Sequence, residues 1–193
     1  MKAQRNSVEW VVHLFLTLVV GISMSACSKT SWKEEVQLSD GRMIVVERKT
    51  LREGGGDEWA FNRSGTRPKE YLIQFVLPDD TKHFVKWHST KLDRNLWPET
   101  PLILDAESGR MVLFTSTFDQ TGCHIYSKYV YSGDAWSEEL LPEQFEVQLA
   151  NLLIREDIEM PGIVTLAFKR QVHEDVRSTR EFLQIGPFRR ACR

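Results

Sequence analysis

The sequence predicts a mainly β fold: a single antiparallel β-rich domain, sandwich or half-barrel-like, with one or two short helices. Three observations predict it. Short runs rich in β-branched and aromatic residues recur from Arg42 to Tyr131, the composition that packs well on a pleated, half-buried surface. Those runs are separated by turn-forming segments, Asp40-Gly41, Pro78-Asp79-Asp80, Ala106-Glu107-Ser108-Gly109 and Ser132-Gly133-Asp134, whose residues fix φ, tolerate positive φ or bond nearby backbone donors. No internal repeat, heptad pattern or low-complexity linker divides the chain, so its elements share one core.

Element by element, Asp40-Gly41 fits the centre of a two-residue type I′ turn, which would set Leu38 opposite Met43 and Val36 opposite Val45. Arg52 to Glu70 then loses periodicity around Gly54, Gly55, Gly56, Gly65 and Pro68 and reads as a long loop of a kind that is uncommon without a function. Within it Trp59 and Phe61 are candidate partner contacts or core anchors. Tyr71 to Leu77 alternates Tyr71, Ile73 and Phe75 as a strand does, and His83 to Trp87 answers it across the Pro-Asp-Asp turn. Trp97-Pro98 and Pro101 mark a turn-rich segment that leaves Trp97 as a further candidate contact. Leu102 to Leu104 pairs with Met111 to Thr117, and His124 to Tyr131 pairs with a short strand at Trp136. Leu141, Phe145, Leu149 and Leu152 recur at helical spacing, although Phe145, Val147 and Leu149 also alternate as a strand. Ile163 to Phe168 reads as a strand, and Val172, Val176 and Leu183 permit a final polar helix.

The first residues read as an address. Lys2 and Arg5 supply a positive region, Val11 to Val20 an apolar core broken only by His13 and Thr17, and Ser23 to Ala26 are small apart from Met24, the three parts of an export signal. The uninterrupted apolar stretch is shorter than the roughly 20 residues a permanent membrane helix needs. Met24-Ser25-Ala26-Cys27 also resembles the lipobox of bacterial lipoproteins, in which the cysteine is acylated and becomes residue one. That resemblance implies a palmitate-bearing lipid anchor on Cys27, and Ser28 after it implies an outer-membrane destination facing the periplasm. The expected organisation is a signal peptide over 1–26, a lipidated N-terminus and short tether over 27–31, and one periplasmic domain over 32–193. An ordinary signal with a spare cysteine and an uncleaved anchor are the alternatives.

With 25 basic and 27 acidic side chains the formal charge is −2, which lacks the concentrated positive field of a nucleic-acid binder. Besides Cys27, the cysteines are Cys123 and Cys192. In an oxidising envelope these two are a candidate disulfide; the alternative is a buried free Cys123 with an exposed Cys192. No CxxC or zinc spacing occurs, and His83, His88, His124 and His173 stand apart. Asp79-Asp80, Asp105 with Glu107, and Glu138-Glu139 are carboxylate pairs near turns, but adjacency in sequence does not place two carboxyls across a scissile bond. No nucleophile elbow, HExxH, phosphate loop or dinucleotide fingerprint is present. No catalytic residue, metal or cofactor is therefore expected.

SWKEEVQLSDGR, FVLPDDTKHFVKW, PLILDAESG and TGCHIYSKYVYSGDAW, which span most of residues 31–155, resemble an uncharacterised group of proteobacterial lipoprotein and envelope proteins. In that group Cys123 resembles the cysteine of a TPxGC-like segment, and the resemblance brings no catalytic residues. The expected function is a non-catalytic, membrane-tethered lipoprotein that acts as an envelope protein-interaction or accessory domain. A carbohydrate or peptidoglycan-binding module using Trp59 or Trp97 is the second reading, and an envelope hydrolase with a composite site the third. A concave groove lined by aromatics favours glycan binding, convergent acid–base groups favour catalysis, and a flat apolar surface favours a protein partner.

Overall fold

The computed structural model describes residues 28–54, 66–141, 146, 148–154, 159–175, 184–185 and 190–191. The chain forms β1 (Ser28–Gln37), β2 (Met43–Gly54), β3 (Thr66–Leu77), β4 (Asp80–His88), β5 (Thr100–Glu107), β6 (Arg110–Phe118), β7 (His124–Ser132) and β8 (Ala135–Glu139). β9 (Gln148–Leu149), the helix α1 (Leu166–Asp175), β10 (Gln184–Ile185) and β11 (Arg190–Ala191) follow. One antiparallel sheet runs β1-β2-β3-β4; a second runs β5-β6-β7, with β8 and β11 both pairing along the outer side of β7. This is the mainly β, sandwich-like domain that the sequence predicts, with one short helix among the described residues.

The two sheets face each other across one core. Val36, Val46, Ile73, Phe75, Val85 and Trp87 from the first sheet meet Leu104, Met111, Leu113 and Tyr129 from the second, each set one face of an alternating strand pattern. The second sheet is covered on its other side too, where Leu102, Phe114, Tyr126 and Val130 pack under Leu141, Ala150 and Ile154. Asn151 closes the edge of β5: its side chain accepts from Leu104 N at 2.9 Å and donates to Leu104 O at 2.8 Å and to Gln37 O at 3.1 Å. An otherwise unpaired strand edge is satisfied in this way and joined to β1.

The first hairpin differs from expectation by one residue. Its register sets Val36 opposite Ile44 and Glu35 opposite Val45, because the loop holds three residues. Gly41 N donates to Leu38 O, Leu38 N donates to Arg42 O, and Gly41 takes a φ of 87°, so a turn is followed by a left-handed glycine rather than a two-residue I′ loop. A one-residue slip reverses which side chains share a face. Ile44 and Val46 enter the core, while Met43 and Val45 stand on the outer face with Phe84, all three exposed. The Ser108-Gly109 and Gly133-Asp134 turns do have positive φ at both residues, as type I′ hairpins require.

Three further expectations are corrected. The described residues between Leu141 and Leu152 are not helical, and Gln148–Leu149 is strand β9. Leu141 and Ala150 pack over the second sheet; Phe145 and Val147 lie outside the described residues. Ile163 to Phe168 is not a strand: only Val164 bridges, in parallel, to Glu34, and α1 begins at Leu166. Thr165 starts the helix, its hydroxyl accepting from Phe168 N at 3.2 Å. Val172 lies in α1, whereas Val176 and Leu183 lie outside the described residues. Residues 28–31, expected as part of a tether, are strand, paired from Ser28 with Arg52 to Ser31 with Lys49. Among the described residues, no helix is long and apolar enough to cross a membrane.

The expected Cys123–Cys192 bridge is not seen among the described residues, where Cys123 is the sole cysteine and Cys192 lies outside. Cys123 itself is disulfide-bonded. Its sulfur is almost fully buried and sits 3.1 Å from the Thr121 hydroxyl. Such a sulfur is not a thiol nucleophile.

The C-terminal layer is held to the sandwich by charge. Glu34, fully buried on β1, accepts from Arg48 Nη1 at 2.9 Å and from Leu153 N at 2.8 Å, and lies 3.3 Å from Lys169 Nζ of α1. Arg48 stacks over the Trp32 ring at 5.2 Å. Lys169 also donates to Glu35 O and Asn151 O, each at 2.5 Å, and burial pulls its pKa below the ordinary lysine value despite Glu34. Removing one member leaves another charge buried without its full set of partners, at a cost of roughly 3–5 kcal/mol. Arg48→Met should therefore lower the unfolding free energy in urea by about that much; a loss under about 1 kcal/mol would show that the pair contributes no more than a surface bridge.

Candidate functional site

Antiparallel connections alternate between the two ends of the sandwich. The turns at Asp40-Gly41, Pro78-Asp79, Ser108-Gly109 and Gly133-Asp134 lie together at one end, tied by Arg42 Nη1 to Asp79 at 2.7 Å, Ser39 N to Asp105 at 2.7 Å and His83 to Asp134 at 3.2 Å. At the other end lie Ser28, the meeting of β2 with β3, the β4–β5 connection and the β6–β7 connection. The candidate site is at this second end.

It is built on the connection from Ser89 to Glu99. Glu99 is fully buried and its carboxylate accepts from Thr90 N at 2.9 Å, Lys91 N at 3.2 Å, Thr115 Oγ1 at 2.8 Å and Tyr129 OH at 2.9 Å. The start of the connection is thereby clamped to β6 and β7, and Glu99 N donates back to Lys91 O at 3.0 Å. A second carboxylate shapes the tip. Asp93 accepts from Asn95 N at 2.7 Å and Trp97 N at 2.9 Å, while Leu96 N donates to Asp93 O at 3.0 Å. These bonds hold Leu96 at a φ of 61°, a left-handed conformation that a bulky side chain adopts only when its surroundings impose it.

Trp97 leaves this loop half-buried and, with Tyr71, Phe118 and Ile154, forms the apolar part of a cleft of about 340 Å³. Asn95, Thr100, Ser116 and Thr117 add polar groups. The Thr117 Oγ1 atom is buried and finds no hydrogen-bond partner among the described residues, an unsatisfied donor of a kind that calls for an explanation. A second hollow of about 460 Å³ shares Asp93, Asn95 and Phe118 with the first and adds Arg94, Asp119 and Thr121. Arg94 Nη1 donates to Gln120 O at 2.7 Å, and the Asp119 carboxylate accepts from Thr121 N at 2.8 Å and Cys123 N at 3.0 Å. The carboxylates of both hollows thus serve the backbone of their own turns.

Of the expected contact residues, Trp97 lies in this cleft, while Trp59, Phe61 and the proposed lipid acceptor Cys27 lie outside the described residues. Sequence pattern placed Tyr71 on a strand face without separating it from the core, and neither Phe118 nor Leu96 carried a signal. The carboxylate pairs do not converge. Asp79 pairs with Arg42, Glu107 with Lys128, Glu138 with Lys91 and Glu139 with Arg110. Among the histidines, His83 meets Tyr131 OH at 2.7 Å, His88 meets Glu70 at 3.0 Å, and buried His124 stacks on Tyr126. Among the described residues no group of three His, Cys, Asp or Glu is placed to hold a metal ion.

The Glu99 clamp gives a pH dependence. Burial, and then the neighbouring Glu99 charge, push the Tyr129 pKa above its ordinary value of 10.0. A raised folded-state pKa means that the native state holds the proton more tightly, so its stabilising contribution is present below pH 10 and is lost as pH rises toward the folded value. Urea unfolding between about pH 8 and about pH 11 should show a decline above pH 10 in the natural protein that is shallower in Tyr129→Phe, with the variant less stable at neutral pH. Parallel profiles would contradict the assignment.

Comparison with protein-family models, with curated proteins and with solved structures gives no match.

Proposed function

We propose that the chain is a non-catalytic lipoprotein, tethered through Cys27 to the periplasmic face of a bacterial outer membrane, whose β-sandwich is an interaction or accessory domain for another envelope protein. The observation that carries this reading is the continuity of address and fold. Cys27 of the Met-Ser-Ala-Cys segment is followed at once by Ser28, already paired in β1 with Arg52, so an acyl chain on Cys27 would be attached directly beside the sheet. The engagement of Asp93 and Asp119 by backbone N–H groups favours binding over acid–base chemistry, since neither carboxylate can leave its turn without undoing it.

Glycan binding is the second reading, favoured by one feature: the concave cleft in which Trp97, Tyr71 and Phe118 stand beside Asn95, Thr100 and Ser116. Flat aromatic faces suit the apolar face of a sugar ring, and the hydroxyls and amide suit its rim.

Two measurements test these readings. Intact-mass analysis of the membrane fraction should give residues 27–193 carrying acyl chains, and Cys27→Ala should abolish both the processing and the added mass; a mature protein without acyl mass would sink the lipoprotein reading. For the cleft, calorimetric titration with soluble peptidoglycan fragments should show binding that Trp97→Ala weakens about tenfold or more. No binding, or equal binding by both proteins, would exclude a glycan in this cleft.

A further inference from the structure

We propose that the Ser28 end of the sandwich lies directly on the bilayer, with Leu92 and Leu96 of the β4–β5 connection entering the lipid headgroup region as a second, non-covalent foothold. The proposal rests on acylation of Cys27 and adds to it an orientation and a contact surface. A single peptide unit, at most about 3.6 Å of chain, separates the acylated residue from the first residue of β1. There is no length of linker over which the domain could turn away. Ser28 pairs with Arg52, and Arg52 with Pro68, so the start of β3 lies two strand spacings, about 10 Å, from the anchor. The tip of the β4–β5 connection is beside it, where Arg67 Nη1 reaches Asn95 O at 3.5 Å.

What that tip displays suits a lipid surface. Leu92 and Leu96 are 55% and 52% exposed on a connection locked by two carboxylates, and neither side chain joins the core clusters. The molecule holds Leu96 in a left-handed conformation that glycine would adopt without strain, yet the residue there is a large apolar one pointing into solvent. Strain maintained in this manner accompanies functional loops. Exposed Lys29, Lys69 and Arg94 lie at this end, together with Glu53, Asp93 and Asp119, whereas the opposite end carries exposed Asp40, Asp79, Asp80 and Asp134, of which Arg42 pairs with Asp40 and Asp79. Anionic headgroups attract the three exposed cations, which share one face with the anchor. Apolar side chains on a rigid loop flanked by exposed cations form a shallow interfacial contact.

The test uses the full-length chain, processed in cells and reconstituted into vesicles of phosphatidylethanolamine and phosphatidylglycerol in equal amounts. An environment-sensitive fluorophore is attached to the folded protein at Leu96→Cys, at Leu92→Cys as a second probe of the same loop, and at Asp79→Cys on the far end. Intact mass establishes acylation and thermal unfolding establishes folding for each. In acylated protein the probes at 96 and 92 should shift to the blue and be quenched by headgroup-proximal spin-labelled lipid, with no response at 79. Acylated protein without quenching at both loop positions, or with equal quenching at 79, would overturn the orientation while leaving the anchor standing. Protein without acyl chains would overturn the anchor, and this orientation with it.

Discussion

An antiparallel chain that turns back on itself must place alternate connections at opposite ends, and the rest of this structure depends on that constraint. Because β1 starts at the end remote from the Asp40-Gly41 turn, four hairpin turns, at Asp40-Gly41, Pro78-Asp79, Ser108-Gly109 and Gly133-Asp134, fall together at one end. The β4–β5 crossing between sheets and the β6–β7 connection fall at the other, beside Ser28. The tight end is fixed by local chemistry, through positive φ at Gly41, Ser108, Gly109, Gly133 and Asp134 and through short charge pairs between neighbouring turns. At the other end β6–β7 turns tightly on Gly122 at a φ of 84°, whereas the longer β4–β5 crossing is held by the buried Glu99 carboxylate.

Glu99, at the Ser28 end, and Glu34, further along β1, play parallel parts in placing the segments outside the hairpins. Each is fully buried and each accepts bonds from backbone N–H groups as well as from side chains on other elements. A buried carboxylate is tolerable only when its lone pairs are filled, so each draws distant segments to one point. Glu99 gathers the β4–β5 connection onto β6 and β7, giving Trp97 and Leu96 their positions. Glu34 gathers α1 and the segment at Leu153 onto β1 and covers the edge of the first sheet. The sandwich core supplies the bulk of the apolar burial, while the two acids determine where the segments outside it settle.

Much of the sandwich was legible in the sequence because alternation and turn chemistry are local. Pro78-Asp79, Ser108-Gly109 and Gly133-Asp134 mark their hairpins without reference to anything distant. The first hairpin shows the limit of that reading: Asp-Gly is compatible with two- and three-residue loops, and only packing against the second sheet decides that Ile44, not Val45, faces inward. The C-terminal region was less legible because its structure answers to partners far away in sequence. Val164 bridges to Glu34, and Leu166 N, at the start of α1, donates to the Glu35 carboxylate. The cleft was the least legible. Trp97 stood out by its residue type, but Tyr71 and Phe118 resemble ordinary strand residues, and the left-handed Leu96 follows from the Asp93 bonds and not from any preference of leucine.

The central claim is that the end of the sandwich nearest the proposed acylation site, Cys27, is also its functional surface. Amide hydrogen exchange, compared between acylated protein in detergent and in phospholipid vesicles, tests this most directly, since exchange maps contact along the backbone without altering a residue. The account predicts added protection in vesicles over residues 89–99 and 119–123 and none over the turns near residues 40, 79, 109 and 134. Protection at those turns, or an identical pattern in both settings, would contradict it.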